Sequence, residues 1–164
     1  MKKLVSFLLS VTLLLTLAAC GKGSDAPAKE APDLNQYYED FMATLPEDDR
    51  PAMMDLDADM LAQTYPGLEN IQTKQLVAKV AMISMVAYEF VLVETENTAD
   101  AQAVAGILQA RIDYQIENGA FYPMTLEGWE HAEVVFQAQG TVVALIVAQD
   151  RQDQAVDAFN QFFA

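Results

Sequence analysis

Cysteine, histidine and basic residues are scarce in this chain, and each shortage removes a class of chemistry. One Cys and one His among 164 residues leave no Cys-His couple, no multi-histidine zinc set and no disulfide framework. Nine Lys and Arg stand against 24 Asp and Glu, for a formal charge of -15. Nucleic acid, heparin-like polymers and anionic lipid headgroups need clustered cations, so they are disfavoured as direct ligands. Beyond the N-terminal apolar run the only serines are Ser24 and Ser84, and neither stands in a Gly-x-Ser-x-Gly elbow. That apolar run has no second of its kind downstream.

What is present begins with a three-part N terminus. Lys2 and Lys3 precede an apolar stretch from Leu4 to Leu17, and Leu17-Ala18-Ala19-Cys20 follows. This is the build of a secretory signal. At ~1.5 Å rise per residue the stretch is shorter than a ~30 Å hydrocarbon core, so a permanent membrane-spanning helix is not expected. The Leu-Ala-Ala-Cys string resembles the bacterial lipoprotein signal, which implies cleavage between Ala19 and Cys20 and a diacylglyceryl group on the Cys20 thiol. Two acyl chains hold a protein stably on a bilayer, so residues 1-19 are read as signal and the mature chain as anchored on the outer face of the cell membrane. That use of Cys20 leaves no thiol for catalysis or metal binding.

From Cys20 to Asp33 the chain is rich in Gly, Ala, Pro and charge and has no apolar period, which reads as a disordered tether. Such a segment averages roughly 20 Å end to end, keeping the folded part near the membrane face. Removing Met1 to Ala19 takes away two lysines and no acid, which makes the mature chain more acidic still. That charge would attract a basic partner or divalent cations, the alternative being that acidity serves only to keep a secreted domain soluble and clear of an anionic wall; an envelope protein or a basic partner is the expected contact besides the membrane.

Residues 34-164 suffice for one domain with one core. Asn35 to Leu45 and Asp57 to Thr64 read as two short helices, ended by Pro46 and by Pro66-Gly67. Gln75 to Glu94 is apolar and too long for one strand, so it divides near Ile83 to Val86 into two, with a buried helix over Leu76 to Ala87 as the alternative. Asn97 caps a long helix whose apolar face is Ala101, Val104, Leu108, Ile112 and Ile116. Ala132 to Gln139 and Thr141 to Gln149 form a hairpin through Gly140. Asp150 is expected to cap a last helix with Val156, Phe159 and Phe163 facing the core. The order β-β-α-β-β-α after two short helices predicts an α+β fold: an antiparallel sheet of about four strands with its helices on one face.

No residue set declares a reaction. Asp55-Leu56-Asp57-Ala58-Asp59 imitates the opening of a calcium loop, but Met60 stands at the sixth position where Gly belongs and Pro66 at the twelfth where Glu belongs. Asp57 therefore reads as a helix cap. His131 reads as a surface or helix-end residue. Met53, Met54 and Met60 read as gap-filling side chains before Cu(I) ligands. Glu94 with Glu96, or Glu127 with Glu130, are the carboxylate pairs that a hydrolase would need. Tyr122 and Trp129 bracket the connection between the long helix and the second hairpin, and they are the candidate ligand-facing aromatics. No cofactor and no metal site is expected.

Glu89 and Val91 in a strand, Arg111 and Gln115 late in the long helix, Tyr122-Pro123, and Gly140 at the hairpin carry a resemblance. Over the stretch from about Glu89 to the C terminus, behind the lipobox and tether, the chain resembles a family of small lipoproteins of Gram-positive bacteria whose C-terminal domain has unknown function. The resemblance implies fold and location, and no activity. The expectation is a non-enzymatic, membrane-tethered binding or envelope-assembly module; the alternatives are a carboxylate-dependent envelope hydrolase and a small-ligand carrier.

Overall fold

Two strands buried along their whole length decide the layering. The computed structural model describes residues 31–164; the signal segment, Ala19, Cys20 and the tether as far as Glu30 lie outside the described residues. Among those described, no helix is long and apolar enough to cross a membrane.

The chain runs α1 (Leu34–Thr44), β1 (Met53–Asp55), α2 (Ala58–Thr64), β2 (Thr73–Ala81), β3 (Tyr88–Thr95), α3 (Thr98–Tyr114), α4 (Pro123–Glu130), β4 (Glu133–Gln137), β5 (Val142–Ala148) and α5 (Gln152–Phe162). The strands form one antiparallel sheet in the order β1-β2-β3-β5-β4. At its centre, Val91 of β3 pairs with Ala78 of β2 on one side and Leu145 of β5 on the other. Every residue of β3 and β5 is buried.

The α+β class and the antiparallel sheet follow the expectation, and Gln75 to Glu94 divides into two strands, with no buried helix. Two details of the expected architecture are corrected. A short fifth strand, β1, extends the sheet; three residues are too few to show a period of two. Helices cover both faces of the sheet and not one. Phe90, Leu92, Val142, Ala144 and Ile146 point to a core shared with Leu34, Tyr37 and Phe41 of α1 and Phe159 of α5. Val91, Val93, Val143, Leu145 and Val147 point the other way, to Ala101, Val104, Leu108 and Ile112 of α3, with Leu61, Tyr65, Leu68 and Trp129. An antiparallel sheet with one wet face alternates apolar and polar residues. Val142-Val143-Ala144-Leu145-Ile146-Val147-Ala148 does not, so both its faces have to be covered.

Local chemistry sets the helix ends. The Asp33 carboxylate accepts from Asn35 N, Asp57 from Met60 N, and Asn97 from Ala99 N and Asp100 N, each satisfying amides that the first turn leaves unpaired. The last helix departs from expectation. Asp150 lies in a short turn over Gln149–Arg151, and α5 starts after Arg151 with no side-chain cap. Gln152 instead reaches back to the end of β5, donating to Ile146 O and accepting from Ala148 N. Ile116, expected on the buried face of the long helix, is exposed beyond the end of α3.

Val91 is fully buried between sheet and α3, where an unpaired carboxylate costs several kcal/mol, comparable with the whole stability of a domain. Val91→Asp is expected to abolish cooperative unfolding, whereas Leu76→Asp on the exposed part of β2 should melt within about 1 kcal/mol of the parent. A normal melting curve for Val91→Asp would show the strand to be misplaced.

Candidate functional site: a buried ion pair beneath an apolar mouth

On the α3 side of the sheet, the alternation of β3 places Glu89 two residues before Val91, and its side chain is 2% exposed. A carboxylate there requires a charged partner. α3 supplies it, because Leu108 and Ile112 pack on the sheet and bring Arg111 beside them. Arg111 Nε donates to Glu89 Oε1 at 3.0 Å and Nη2 to Oε2 at 2.9 Å, the two-pronged geometry that a planar guanidinium fork makes with a carboxylate. The Tyr65 hydroxyl, at the end of α2, donates to Glu89 Oε1.

The guanidinium is also held by rings. Its central carbon lies 5.3 Å from the Trp129 ring centroid and 6.0 Å from that of Tyr65, within range for attraction between a cation and a ring face. Gln115, one turn along the helix, turns its amide oxygen to accept from Nη1 at 2.7 Å and Nη2 at 2.8 Å. Gln115 opens a π-helical turn over Gln115–Gly119, closed by Ala120 N donating to Gln115 O at 2.8 Å; such turns recur at functional sites. A side chain at Gly119 would collide with the Gln115 amide, so glycine there is what lets Gln115 face Arg111.

Burial pushes the Tyr65 phenol well above its ordinary range, and the adjacent Glu89 charge and hydrogen bond push it further, with Arg111 opposing. Burial alone would lower the Arg111 pKa. The hydrogen bonds and charge of Glu89 outweigh it and hold the guanidinium above its ordinary value.

A cavity of about 300 Å³ opens above this pair. Glu89, Arg111, Gln115 and Trp129 line its depth, Met82, Ile83, Ser84 and Val86 of the β2–β3 loop one wall, and Gly119, Ala120 and Thr125 the other. Arg111 also lines a larger groove of about 810 Å³ along α3, between Pro66 and Ala103, Gly106, Ile107 and Ala110. The β2–β3 loop is pinned at its far end. Ala87 N donates to Gln149 Oε1 at 3.1 Å, and Gln149 N donates to Ala87 O at 3.0 Å. Gln149 has φ +35°, a sparsely populated conformation that the surrounding contacts must sustain. A Cβ on Gly128 of α4 would sit 2.5 Å from the Ala87 methyl group, so that glycine is what admits the close approach.

Trp129 is buried, 5% exposed, and lies against Arg111 at the cavity wall. Tyr122 is 46% exposed at the start of α4. The sequence candidates elsewhere do not converge. Asp57 is the helix cap expected of it and Asp55 pairs with Lys79 at 2.6 Å. Glu94 faces the opposite side of β3 from Glu89 and accepts from Gln75 Nε2 at 2.8 Å, while Glu96 pairs with Lys74. His131 is exposed, its Nδ1 2.8 Å from Glu127 O. No group of three His, Cys, Asp or Glu is placed to hold a metal ion among the described residues. Sequence reasoning missed Tyr65 and the role of Glu89 as an anchor. A carboxylate flanked by apolar residues within a strand, in a chain with few cations, was the available signal.

As pH rises, the unfolded chain releases the Tyr65 proton before the folded one does, and the buried Tyr37 phenol, raised by burial, behaves likewise. Their stabilisation is complete below the ordinary phenol value of about 10 and is lost above it. Melting temperature should hold steady to about pH 9.5 and then fall. In Tyr65→Phe the alkaline fall should be shallower, from a starting point about 1–3 kcal/mol less stable; equal alkaline slopes in the two proteins would mean that Tyr65 is not buried in the folded state.

No curated protein and no solved structure matches the chain. A family model, described as a domain of unknown function, DUF4358, matches residues 45–148. That span holds Tyr65, Glu89, Arg111, Gln115 and Trp129, together with both walls of the cavity. The chain therefore belongs to the DUF4358 family.

Proposed function

We propose that this chain is an extracytoplasmic binding module, held on the outer face of the cell membrane by a diacylglyceryl group on Cys20, with the mouth above Glu89 and Arg111 as its binding surface. One observation carries the reading. All the exposed large apolar side chains among the described residues, except Leu76, come from Met82, Ile83 and Met85 on one side and from Tyr114, Ile116, Phe121, Tyr122 and Met124 on the other. Met82 and Ile83 line the cavity itself, and the second stretch brackets in sequence its lining residues Gln115, Gly119, Ala120 and Thr125, with Tyr114 on the groove along α3 and Met124 on a neighbouring pocket beside His131. Single exposed apolar residues are ordinary; a contiguous set of them is the mark of an interaction site.

The floor of the mouth fits binding better than hydrolysis. Glu89 already accepts three hydrogen bonds, from Tyr65 and twice from Arg111, so it is neither a free base nor a free acid. The other buried carboxylate, Glu94, lies on the opposite face of the sheet. The tether rests on the Leu17-Ala18-Ala19-Cys20 string and the charged start before it.

A photo-crosslinking side chain at Met85 or at Phe121, in cells, should give the same discrete adducts. One at Asp157, exposed on α5, should give none of them. Mass spectrometry of the mature N terminus should find the diacyl adduct, and Cys20→Ala should release the protein from membranes and lower adduct yield. Identical adducts from all three positions would remove the mouth from the account, and an unacylated N terminus would remove the anchor.

A further inference from the structure

The side chains that line the cavity narrow what it can take. Among the described residues Arg111 is the one Lys or Arg in its lining, and Glu89 and Gln115 already engage the guanidinium, so an anion would have to displace a buried carboxylate. The Thr125 hydroxyl donates to Tyr122 O at 2.9 Å. Trp129 differs from these. It is 5% exposed, yet its indole N–H donates to no acceptor among the described residues, whereas a buried indole usually finds a partner. No side-chain nitrogen or oxygen among the described residues is both shut off from solvent and unpaired. The N–H therefore reaches solvent, and the cavity above Glu89 and Arg111 is the opening that Trp129 lines.

The walls carry no charge. Val80 to Tyr88 and Asn118 to Leu126 contain no Asp, Glu, Lys or Arg, and they supply Met82, Ile83 and Val86 to one wall and Gly119, Ala120 and Thr125 to the other. The charges that a ligand meets in the lining are those of Glu89 and Arg111, which cancel. Met82 and Ile83 are each more than half exposed, and an unbranched thioether repacks around different apolar groups. The cavity thus offers one unpaired hydrogen-bond donor beside an adaptable apolar wall.

Resting on the binding reading above, we infer that the cavity takes an uncharged, apolar segment of a partner polypeptide: one backbone carbonyl accepts from the Trp129 N–H, and the side chain next to it packs on Met82 and Ile83. An indole N–H only donates, so its partner must be an acceptor, and the cancelled charge beneath it favours a neutral one. At about 300 Å³ the cavity is at the small end of ligand sites and suits a single side chain with its peptide unit. An acetylated amino sugar offers the same carbonyl, but its hydroxyls would lie unpaired against thioether and aliphatic groups. The bilayer is disfavoured by where the chain enters the domain. Leu34 N donates to Gln75 Oε1 at 2.9 Å and Gln75 Nε2 to Pro32 O at 3.2 Å, at the start of β2, whereas the loop that walls the cavity leaves the other end of that strand, roughly 20 Å away. A domain hanging from that end turns the mouth away from the membrane. A second copy would bring the same excess of acid, which opposes association.

Trp129 is the sole tryptophan, so its indole N–H gives a single NMR resonance in the full-length protein held in neutral detergent micelles. Titration with the N-acetylated, C-amidated tripeptide Gly-Leu-Gly should move that resonance together with the Met82 methyl signal. Its Gly-Lys-Gly and Gly-Asp-Gly counterparts should bind roughly tenfold more weakly, and added salt should change the leucine peptide's affinity less than about twofold. Trp129→Phe keeps a ring against Arg111 and removes the donor; affinity read at the Met82 methyl should fall about five- to tenfold. Met82→Ser/Ile83→Ser, both at the surface, should weaken binding at least as far, and matched melting curves establish that the variants fold. A Met82 shift with the indole unmoved, or unchanged affinity in Trp129→Phe, would overturn the carbonyl contact while leaving the binding module standing. Tighter binding of a charged tripeptide would overturn the neutral occupant. Response to N-acetylglucosamine in preference to peptide, to phosphatidylcholine vesicles, or to protein concentration alone would contradict the inference in favour of a glycan, a bilayer or a second copy. Silence of both resonances toward every probe, with crosslinks still formed at Met85 and Phe121, would overturn the inference alone; silence with those crosslinks absent would overturn the binding reading as well.

Discussion

The ion pair between Glu89 and Arg111 is the interaction on which the α3 side of this protein depends. Taking a carboxylate and a guanidinium out of water costs several kcal/mol for each ion. Only well-placed partners offset that cost, and here they come from four separate elements. β3 presents the carboxylate, α3 the guanidinium, the end of α2 a phenol, and α4 an indole face. Satisfying the pair therefore fixes where three helices sit over the sheet. An apolar residue at each position would bury more simply, but it would not dictate which face of Trp129 or which rotamer of Gln115 meets the pair. We take this geometric constraint to be the reason for placing charge in a core.

The mouth inherits its shape from the same constraint. Gln115 faces Arg111 from a π-helical turn, and that turn delivers the chain to Phe121 and the start of α4. On the opposite side, β3 emerges from the core at Tyr88, one residue before the buried carboxylate, and the loop before it is fastened by the reciprocal hydrogen bonds between Ala87 and Gln149. The loop tip keeps its apolar side chains in solvent, while its base is fixed to β5 and α4. Rigid support beneath an exposed apolar rim is what reduces the ordering cost of binding.

Much of this was legible in the sequence, for identifiable reasons. Asp57 and Asn97 precede apolar periodic segments, and capping is a local interaction, so the starts of two helices could be read directly, whereas Asp33, read as the end of the tether, caps a third. The division of Gln75 to Glu94 was legible because strands are short, even though Met82 to Ala87 contains no Gly, Pro or Asn to mark a turn. The cover on both faces was legible in principle from the unbroken apolar run of β5, which cannot tolerate a wet face. Asp150 misled because a plausible cap residue lies within a short turn over Gln149–Arg151, and Gln152 serves the end of β5 instead. The site was the least legible part. Glu89, Arg111 and Gln115 stood out only through a family resemblance, and Tyr65 not at all, because their convergence depends on how α2 and α3 cross the sheet. Trp129 was singled out as a candidate ligand-facing aromatic beside the reading of core packing; it is buried at the cavity wall with its ring against Arg111.

The most direct test of the central claim is a double-mutant cycle on stability with Glu89→Leu, Arg111→Met and the pair together. Each single change strands one buried charge and should cost about 3–5 kcal/mol. The double variant buries two apolar side chains in their place and should regain most of that loss, giving a coupling of roughly 2 kcal/mol or more. Additive losses in the double variant would contradict the account, because the two side chains would then be contributing independently and the pair would not be what organises the site.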